Sequence, residues 1–207
     1  CACTSSSPDT GTAKPSAWTP GTSWQGDAVA EHRVLVDGLD SPTGLAQGFG
    51  ALWIAETGAG RIWHHDGQEL TLSHEGLEEP SELAATLGGV IIIDGDEVLQ
   101  SQGSQLSVLA SDLQSPHAPR VGHQSIWWVE TGSGNDGRVW RSDSVGVAVV
   151  ADGLETPQGM ALIGERAVVA ETGNWQLLQV AVDQAPQPLA TIGGTIADVS
   201  ADCEDLF

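Results

Sequence analysis

The sequence predicts an all-β chain of four-stranded antiparallel blades set around an axis, a β-propeller, and three observations carry that expectation. A proline-centred segment recurs at Pro42, Pro80, Pro116 and Pro157, at intervals of 38, 36 and 41 residues. That is the length of four short strands and their turns. Fourteen residues after each proline stands a carboxylate: Glu56, Asp94, Glu130 and Glu171. The segments between these marks are brief, β-branched or Trp-rich, and punctuated by glycine, as in Ala51-Leu52-Trp53-Ile54-Ala55 and Ala167-Val168-Val169-Ala170, which suits strands and not helices.

The repeated segments read Gly38-Leu39-Asp40-Ser41-Pro42-Thr43-Gly44-Leu45-Ala46, Gly76-Leu77-Glu78-Glu79-Pro80-Ser81-Glu82-Leu83-Ala84, Asp112-Leu113-Gln114-Ser115-Pro116-His117-Ala118 and Gly153-Leu154-Glu155-Thr156-Pro157-Gln158-Gly159-Met160-Ala161. Spacing from proline to acid never slips, and length varies only afterwards: the loop before Arg138-Val139-Trp140 is three residues longer than that before Arg61-Ile62-Trp63. A packed sheet requires this, because a one-residue slip would turn its core face outward. In the first unit the pattern predicts strands near 44–48, 51–56, 61–65 and 69–74. Such a sheet has two apolar faces and must hide both against neighbours. A partial fifth unit begins at Ile196-Ala197-Asp198-Val199-Ser200, 39 residues after Pro157, so four complete blades and part of a fifth are expected within a propeller domain over 32–207.

Pro-Thr-Gly-Leu-Ala at 42–46, Leu-Trp-Ile-Ala-Glu-Thr-Gly at 52–58 and Arg61-Ile62-Trp63 resemble NHL-type and gluconolactonase-like six-bladed propellers. The resemblance runs over about 38–207. It implies six blades, which need about 230 residues at this repeat length, so the reading frame is expected to continue past Phe207. His32-Arg33-Val34-Leu35-Val36 is placed to be an outer strand that closes the last blade.

The first residues differ in kind. From 1 to 26 the chain is Ser, Thr, Pro, Gly and Ala with little apolar periodicity, a composition that reads as a disordered tether. Its start, Cys1-Ala2 and a Ser/Thr-rich run, resembles the mature end of a bacterial lipoprotein, which implies lipid on Cys1 and a cell-envelope or secreted location. One acyl anchor would need no spanning segment. Cys3 and Cys203 can pair in an oxidising compartment.

Charge narrows the partners. With 28 acidic against 7 basic residues the formal charge is −21, which repels phosphate backbones and anionic lipid heads. Small molecules, proteins and cations remain.

If the four acids faced a narrow channel they would repel one another and call for protonation or a cation such as Ca²⁺. The favoured reading is structural: each caps its turn, accepting from the Thr-Gly backbone at 57–58, 131–132 and 172–173 or from Arg61 and Arg138, because catalysis needs one or two special groups and not four alike. Function is expected where the units differ. The position after each proline, at the channel mouth, holds Thr43, Ser81, His117 and Gln158, with Asp198 one position further on in the fifth unit. Only His117 is an evident ligand or general base. The gluconolactonase resemblance implies Asn and Asp metal ligands there, with a glutamate from Glu-Gly-Pro; this chain has none of these, and Glu78-Glu79-Pro80 is the nearest approach. No metal ligand is firmly assigned; the metal-dependent alternative would hold a divalent ion, Ca²⁺ or Zn²⁺, with His117, Gln158, Asp198 and residues of further blades.

His64, His65, His74 and His123 read as structural, since neighbours on a strand point to opposite faces. Trp53, Trp63, Trp127 and Trp140 recur at matching positions and read as packing. Asp94-Gly95-Asp96-Glu97 and Asn135-Asp136-Gly137 lack the spacing of a calcium loop and read as turns. Two functions follow: an extracytoplasmic scaffold that binds a small molecule or protein at the mouth, and, as the alternative, a metal-dependent hydrolase or lactonase.

Overall fold

A computed structural model describes residues 34–194, 196 and 198–200. The chain divides into two units, Cys1–Asp37 and Gly38–Phe207. The tether, Cys1, the Cys3/Cys203 pair, His32-Arg33 and the end of the fifth repeat lie outside the described residues. Of the first unit, 34–37 are described and form no strand. The last blade that the expected closing strand was to complete is not among the four described sheets.

The second unit is four sheets in succession. The first blade is β1 (Pro42–Gly48), β2 (Ala51–Glu56), β3 (Arg61–His65) and β4 (Leu70–Glu75), with one 3₁₀ turn at Thr57–Ala59. The second is β5 (Pro80–Thr86), β6 (Gly89–Asp94), β7 (Glu97–Gln102) and β8 (Gln105–Ala110). The third is β9 (Pro116–Val121), β10 (Ile126–Glu130), β11 (Gly137–Ser142) and β12 (Val147–Leu154), and the fourth β13 (Pro157–Ile163), β14 (Arg166–Glu171), β15 (Gln176–Ala181) and β16 (Gln187–Thr191). Strands pair in chain order within each sheet, all antiparallel. The first strands pack side by side, β1 on β5, β5 on β9 and β9 on β13. They are therefore the inner strands, and the proline at the head of each marks one end of the axis. This is the β-propeller arrangement, and the first-blade strands fall within two residues of the expected positions.

Period-two alternation supplies the cohesion. Ile92 points back to a cluster with Ala46, Ala55 and Ile62 of the first blade, whereas Ile91 and Ile93 point forward to Leu113 and Trp128 of the third. Trp127 and Val129 face the fourth blade, meeting Met160, Val169 and Val180. The forward face of the fourth blade, Ala161, Val168 and Ala170, is met by Val199 and Ile196 of the fifth repeat. The second, third and fourth sheets thus each hide one side on each neighbour, as a repeat with two greasy faces must.

Polar groups also cross between blades. The Thr57 hydroxyl donates to the carbonyl of Pro80 (2.6 Å) and that of Thr131 to Pro157 (2.9 Å), each at the head of the next inner strand. His74 Nε2 lies 2.7 Å from Ser101 Oγ across the first interface. Burial holds the His74 imidazole below the ordinary histidine pKa. The unfolded ring therefore binds a proton that the folded ring resists, and stability falls as pH drops below the ordinary value. Unfolding free energy measured between about pH 5 and 7 is expected to depend less on pH in His74→Gln than in the wild type; an unchanged slope would count against this assignment.

Candidate functional site

Each repeated acid stands at the end of the second strand and is buried. Its backbone donors are not the Thr-Gly amides expected, although the expected Arg61 and Arg138 do pair with Glu56 and Glu130. Glu56 Oε1 accepts from the N–H of Asp40 (2.8 Å), Glu130 Oε1 from Gln114 (2.9 Å) and Glu171 Oε1 from Glu155 (2.7 Å), all two residues before the unit proline. Asp94, one carbon shorter, takes the N–H of Glu79 (2.6 Å) and Glu78 (3.2 Å). The Thr-Gly turn instead gives its own N–H groups to carbonyls of that same incoming loop, Gly58 to Asp40, Thr131 to Ser115 and Thr172 to Thr156. The reason is visible in the loop: Ser41, Ser115 and Thr156, directly before proline, adopt φ of 49°, 54° and 54°. A left-handed non-glycine residue is costly and must be held by its surroundings. The carboxylate does the holding.

The other carboxylate oxygen meets a side chain. Trp63 Nε1 donates to Glu56 Oε2 (2.7 Å) and Trp140 Nε1 to Glu130 Oε2 (2.8 Å), while at Glu171 the donor is Gln176, at the register position of Arg61 and Arg138. Arg61 and Arg138 add ion pairs at 3.8 and 3.2 Å. For Glu56 the Asp40 N–H, then the Trp63 N–H, hold the carboxyl below its ordinary pKa against burial. With every oxygen committed to protein donors, the four acids stabilise the incoming loops and do not line the bore.

The mouth is different. Thr43 and Thr57 share a 2.6 Å hydroxyl contact, and the Thr43 hydroxyl also donates to Ser81 O (3.2 Å). Ser81 Oγ reaches Ile93 O at 3.5 Å, and Gln158 is exposed at the head of β13. His117 is bound to a residue that the sequence reading passed over: its Nδ1 lies 3.1 Å from Glu82 Oε1, and the second oxygen of Glu82 accepts the Ala118 N–H at 2.7 Å. The side chains are 38% and 42% exposed, so both reach solvent. The signal for Glu82 lay in the second residue after each proline: Gly44, Glu82, Ala118 and Gly159. A methyl at Gly44 would collide with the Ser81 carbonyl of the next blade. This is the slot that touches the following inner strand, and in the second unit a carboxylate fills it.

Local backbone reinforces the pairing. On β9 the register shifts between His117, opposite Val129, and Arg120, opposite Trp127, and Ala118 within this bulge has φ 49°. Bulges re-aim side chains. The strand's alternation changes between His117, which reaches back to Glu82 of the second blade, and Arg120, which reaches forward to Asp198. Burial drives the Glu82 carboxyl upward, but the His117 hydrogen bond, the Ala118 N–H and the charges of His117 and Arg120 outweigh it, and its pKa is lowered. Glu82 is thus an anion near neutrality, and its Oε1 is placed to accept a proton carried on His117 Nδ1. In that tautomer a neutral imidazole keeps a lone pair on Nε2.

Asp198 also belongs here, its Oδ1 3.4 Å from Arg120 Nη2. His64, His65, His74 and His123 are elsewhere: His64 stacks near Trp53, and His123 lines a cavity of about 290 Å³ between the second and third blades, away from the prolines. Trp53 and Trp127 pack between blades, and Trp140 stacks on buried Trp128. A groove of about 620 Å³ on the flank, lined by Val145, Val147, Val149 and Val182 with Arg141, Asp143 and Asp183, contains no histidine.

No known family's sequence profile matches the chain, and no curated protein matches it in sequence. Solved structures do resemble it. A nidogen/laminin complex aligns at TM-score 0.68 with 16% identity over 81% of this chain and 71% of that one. A gluconolactonase of Xanthomonas campestris aligns at 0.63 and 16%, over 81% and 68%. A catalytically inactive virginiamycin B lyase of Staphylococcus aureus crystallised with quinupristin aligns at 0.67 and 17%, over 81% and 62%. At these identities the likeness establishes the fold, a propeller of the gluconolactonase-like and NHL-type architecture, and leaves the chemistry to the site.

Proposed function

We propose that this propeller is a hydrolase of lactones or esters, with water activated at the channel mouth by His117. The Glu82–His117 contact carries the reading. A neutral imidazole with its Nδ1 proton held by a carboxylate offers Nε2 as a general base: Nε2 takes the proton of a water as its oxygen attacks the acyl carbon, and later returns it to the leaving alkoxide. Glu82 is a positioning residue, fixing the tautomer and stabilising the imidazolium between the two transfers. The likeness to gluconolactonase folds favours this over a scaffold that only binds.

The metal-dependent form has less support in the donor set. Among the described residues no three His, Cys, Asp or Glu side chains converge to hold an ion. Both Glu82 oxygens are committed and Asp198 faces a guanidinium. The test is hydrolysis of δ-gluconolactone and of a simple aryl ester, with and without chelator. Turnover that survives chelation is expected. Turnover abolished by chelation and restored by Ca²⁺ or Zn²⁺ would replace the His117 base with a metal, and no turnover under either condition would return the mouth to a binding surface for a small molecule or protein. The lipid on Cys1 is a separate proposal, checked by metabolic labelling with a palmitate analogue.

A further inference from the structure

We infer that Arg120 is an anion-capture residue that selects substrates bearing a carboxylate, and that Asp198 is the internal anion it exchanges for them. The inference takes its reaction from the proposed hydrolysis, but its binding step stands without it. The fourth residue after the unit proline is Ala46, Ala84 and Ala161 in three repeats and Arg120 in the third. One inner strand thus carries both the base and a cation, three residues apart.

The commitments of the arginines differ in kind. Arg61 and Arg138 are bound to buried Glu56 and Glu130 within their own sheets, and Arg141 to Asp143 and Glu165 with its guanidinium over the Trp127 ring. Arg120 donates through Nη1 to its neighbour Pro119 O (3.0 Å), and its ion pair is a single 3.4 Å contact from Nη2 to Asp198. The side chains of that pair are 32% and 68% exposed. A lone, long, solvated pair of this kind adds little to stability. Asp198 Oδ1 has a second donor in the Val199 N–H at 2.8 Å, so the aspartate keeps a partner when the arginine leaves.

Placement makes the pair a gate. Arg120 is on the third inner strand and Asp198 follows the fourth blade, against Gly159 of β13. The contact therefore skips a blade at the mouth, where Arg120 also bears on Glu82. A substrate carboxylate can engage the guanidinium through two oxygens, which the aspartate does not do here, and bidentate charge-assisted bonds are the stronger kind. In a chain of net charge −21 an anionic substrate is repelled at long range, and a local cation is what admits it.

The test is titration of the whole chain with succinate, followed by calorimetry or by NMR shifts of the His117 ring, with succinamide as the neutral control. Wild type is expected to bind succinate and not succinamide. Arg120→Met should weaken binding by about tenfold or more, Arg120→Lys by less, and Asp198→Asn should tighten it by about threefold to fivefold; unchanged circular dichroism secures the fold of each. No succinate binding by wild type, equal binding by Arg120→Met, or weaker binding by Asp198→Asn would overturn the assignment. Matched aryl esters of succinate and butyrate separate the two readings: succinate binding as described with neither ester hydrolysed defeats the hydrolase and leaves Arg120 in place. Hydrolysis without preference for the succinate ester defeats Arg120 alone.

Discussion

His117→Gln is expected to lower kcat/KM for lactone or ester hydrolysis by about 10²- to 10⁴-fold, the range that a positioned general base supplies. Glutamine is close in volume and polar, and the His117 side chain is partly exposed, so the variant should fold and its stability should change little. Glu82→Gln is the informative companion. It keeps an oxygen for the Ala118 N–H but removes the charge beside Nδ1. Without that charge the imidazolium is less stabilised, so the acid limb of the kcat/KM profile should move to lower pH while the maximum falls. A merely structural glutamate would reduce the amount of folded enzyme and leave the limb where it was. A profile that keeps its shape in Glu82→Gln, or a His117→Gln variant with wild-type turnover, would remove the pair from the chemistry.

Trp127→Ala is expected to cost about 3–5 kcal/mol of unfolding free energy. The indole is wholly buried between the third and fourth blades, among Val139, Met160 and Val180. Its Nε1 donates to Ser125 Oγ (2.8 Å), which is bound in turn to Glu165 of the fourth blade (3.1 Å). Removing it leaves a cavity at an interface that cannot collapse, because rigid sheets hold both walls, and withdraws the ring from under Arg141. Against a typical domain stability of about 5–15 kcal/mol such a loss is a large fraction of the total. Trp53→Ala should cost less, since Trp53 is only partly buried at the matching place between the first two blades. The midpoint of urea unfolding reads both, and an effect under about 1 kcal/mol for Trp127→Ala would contradict packing between blades as the main source of cohesion.

The blade was legible because it is periodic. Proline and acid recur at a fixed distance, Thr-Gly follows the acid in three of the four repeats, and contacts recur with them: the Thr57 and Thr131 hydroxyls to the next proline carbonyl, the Trp63 and Trp140 indoles to a carboxylate, and alternating aliphatics to alternate neighbours. The acids were read as supports for turns, and their burial agrees with a supporting place, but their donors came from the loop before the strand. That loop lies 16 residues upstream, and nothing in a string of letters shows that Ser41, Ser115 and Thr156 take a left-handed turn in need of holding. His117 stood out because it broke the pattern at a position already under scrutiny. Glu82 broke the pattern one position later, where the other repeats have glycine or alanine, and was passed over because nothing in the sequence shows that this slot abuts the next inner strand.

Composition and repetition by themselves determined the kind of sheet, its length, and which residues turn inward, since these depend on local propensity and on a period that a strand cannot shift without exposing its core. Only the tertiary structure decided which charged groups meet. Glu82 and His117 are 35 residues apart, and Arg120 and Asp198 are 78 apart. They become neighbours because inner strands converge on one axis, and convergence is a property of how sheets stack, which no single repeat contains.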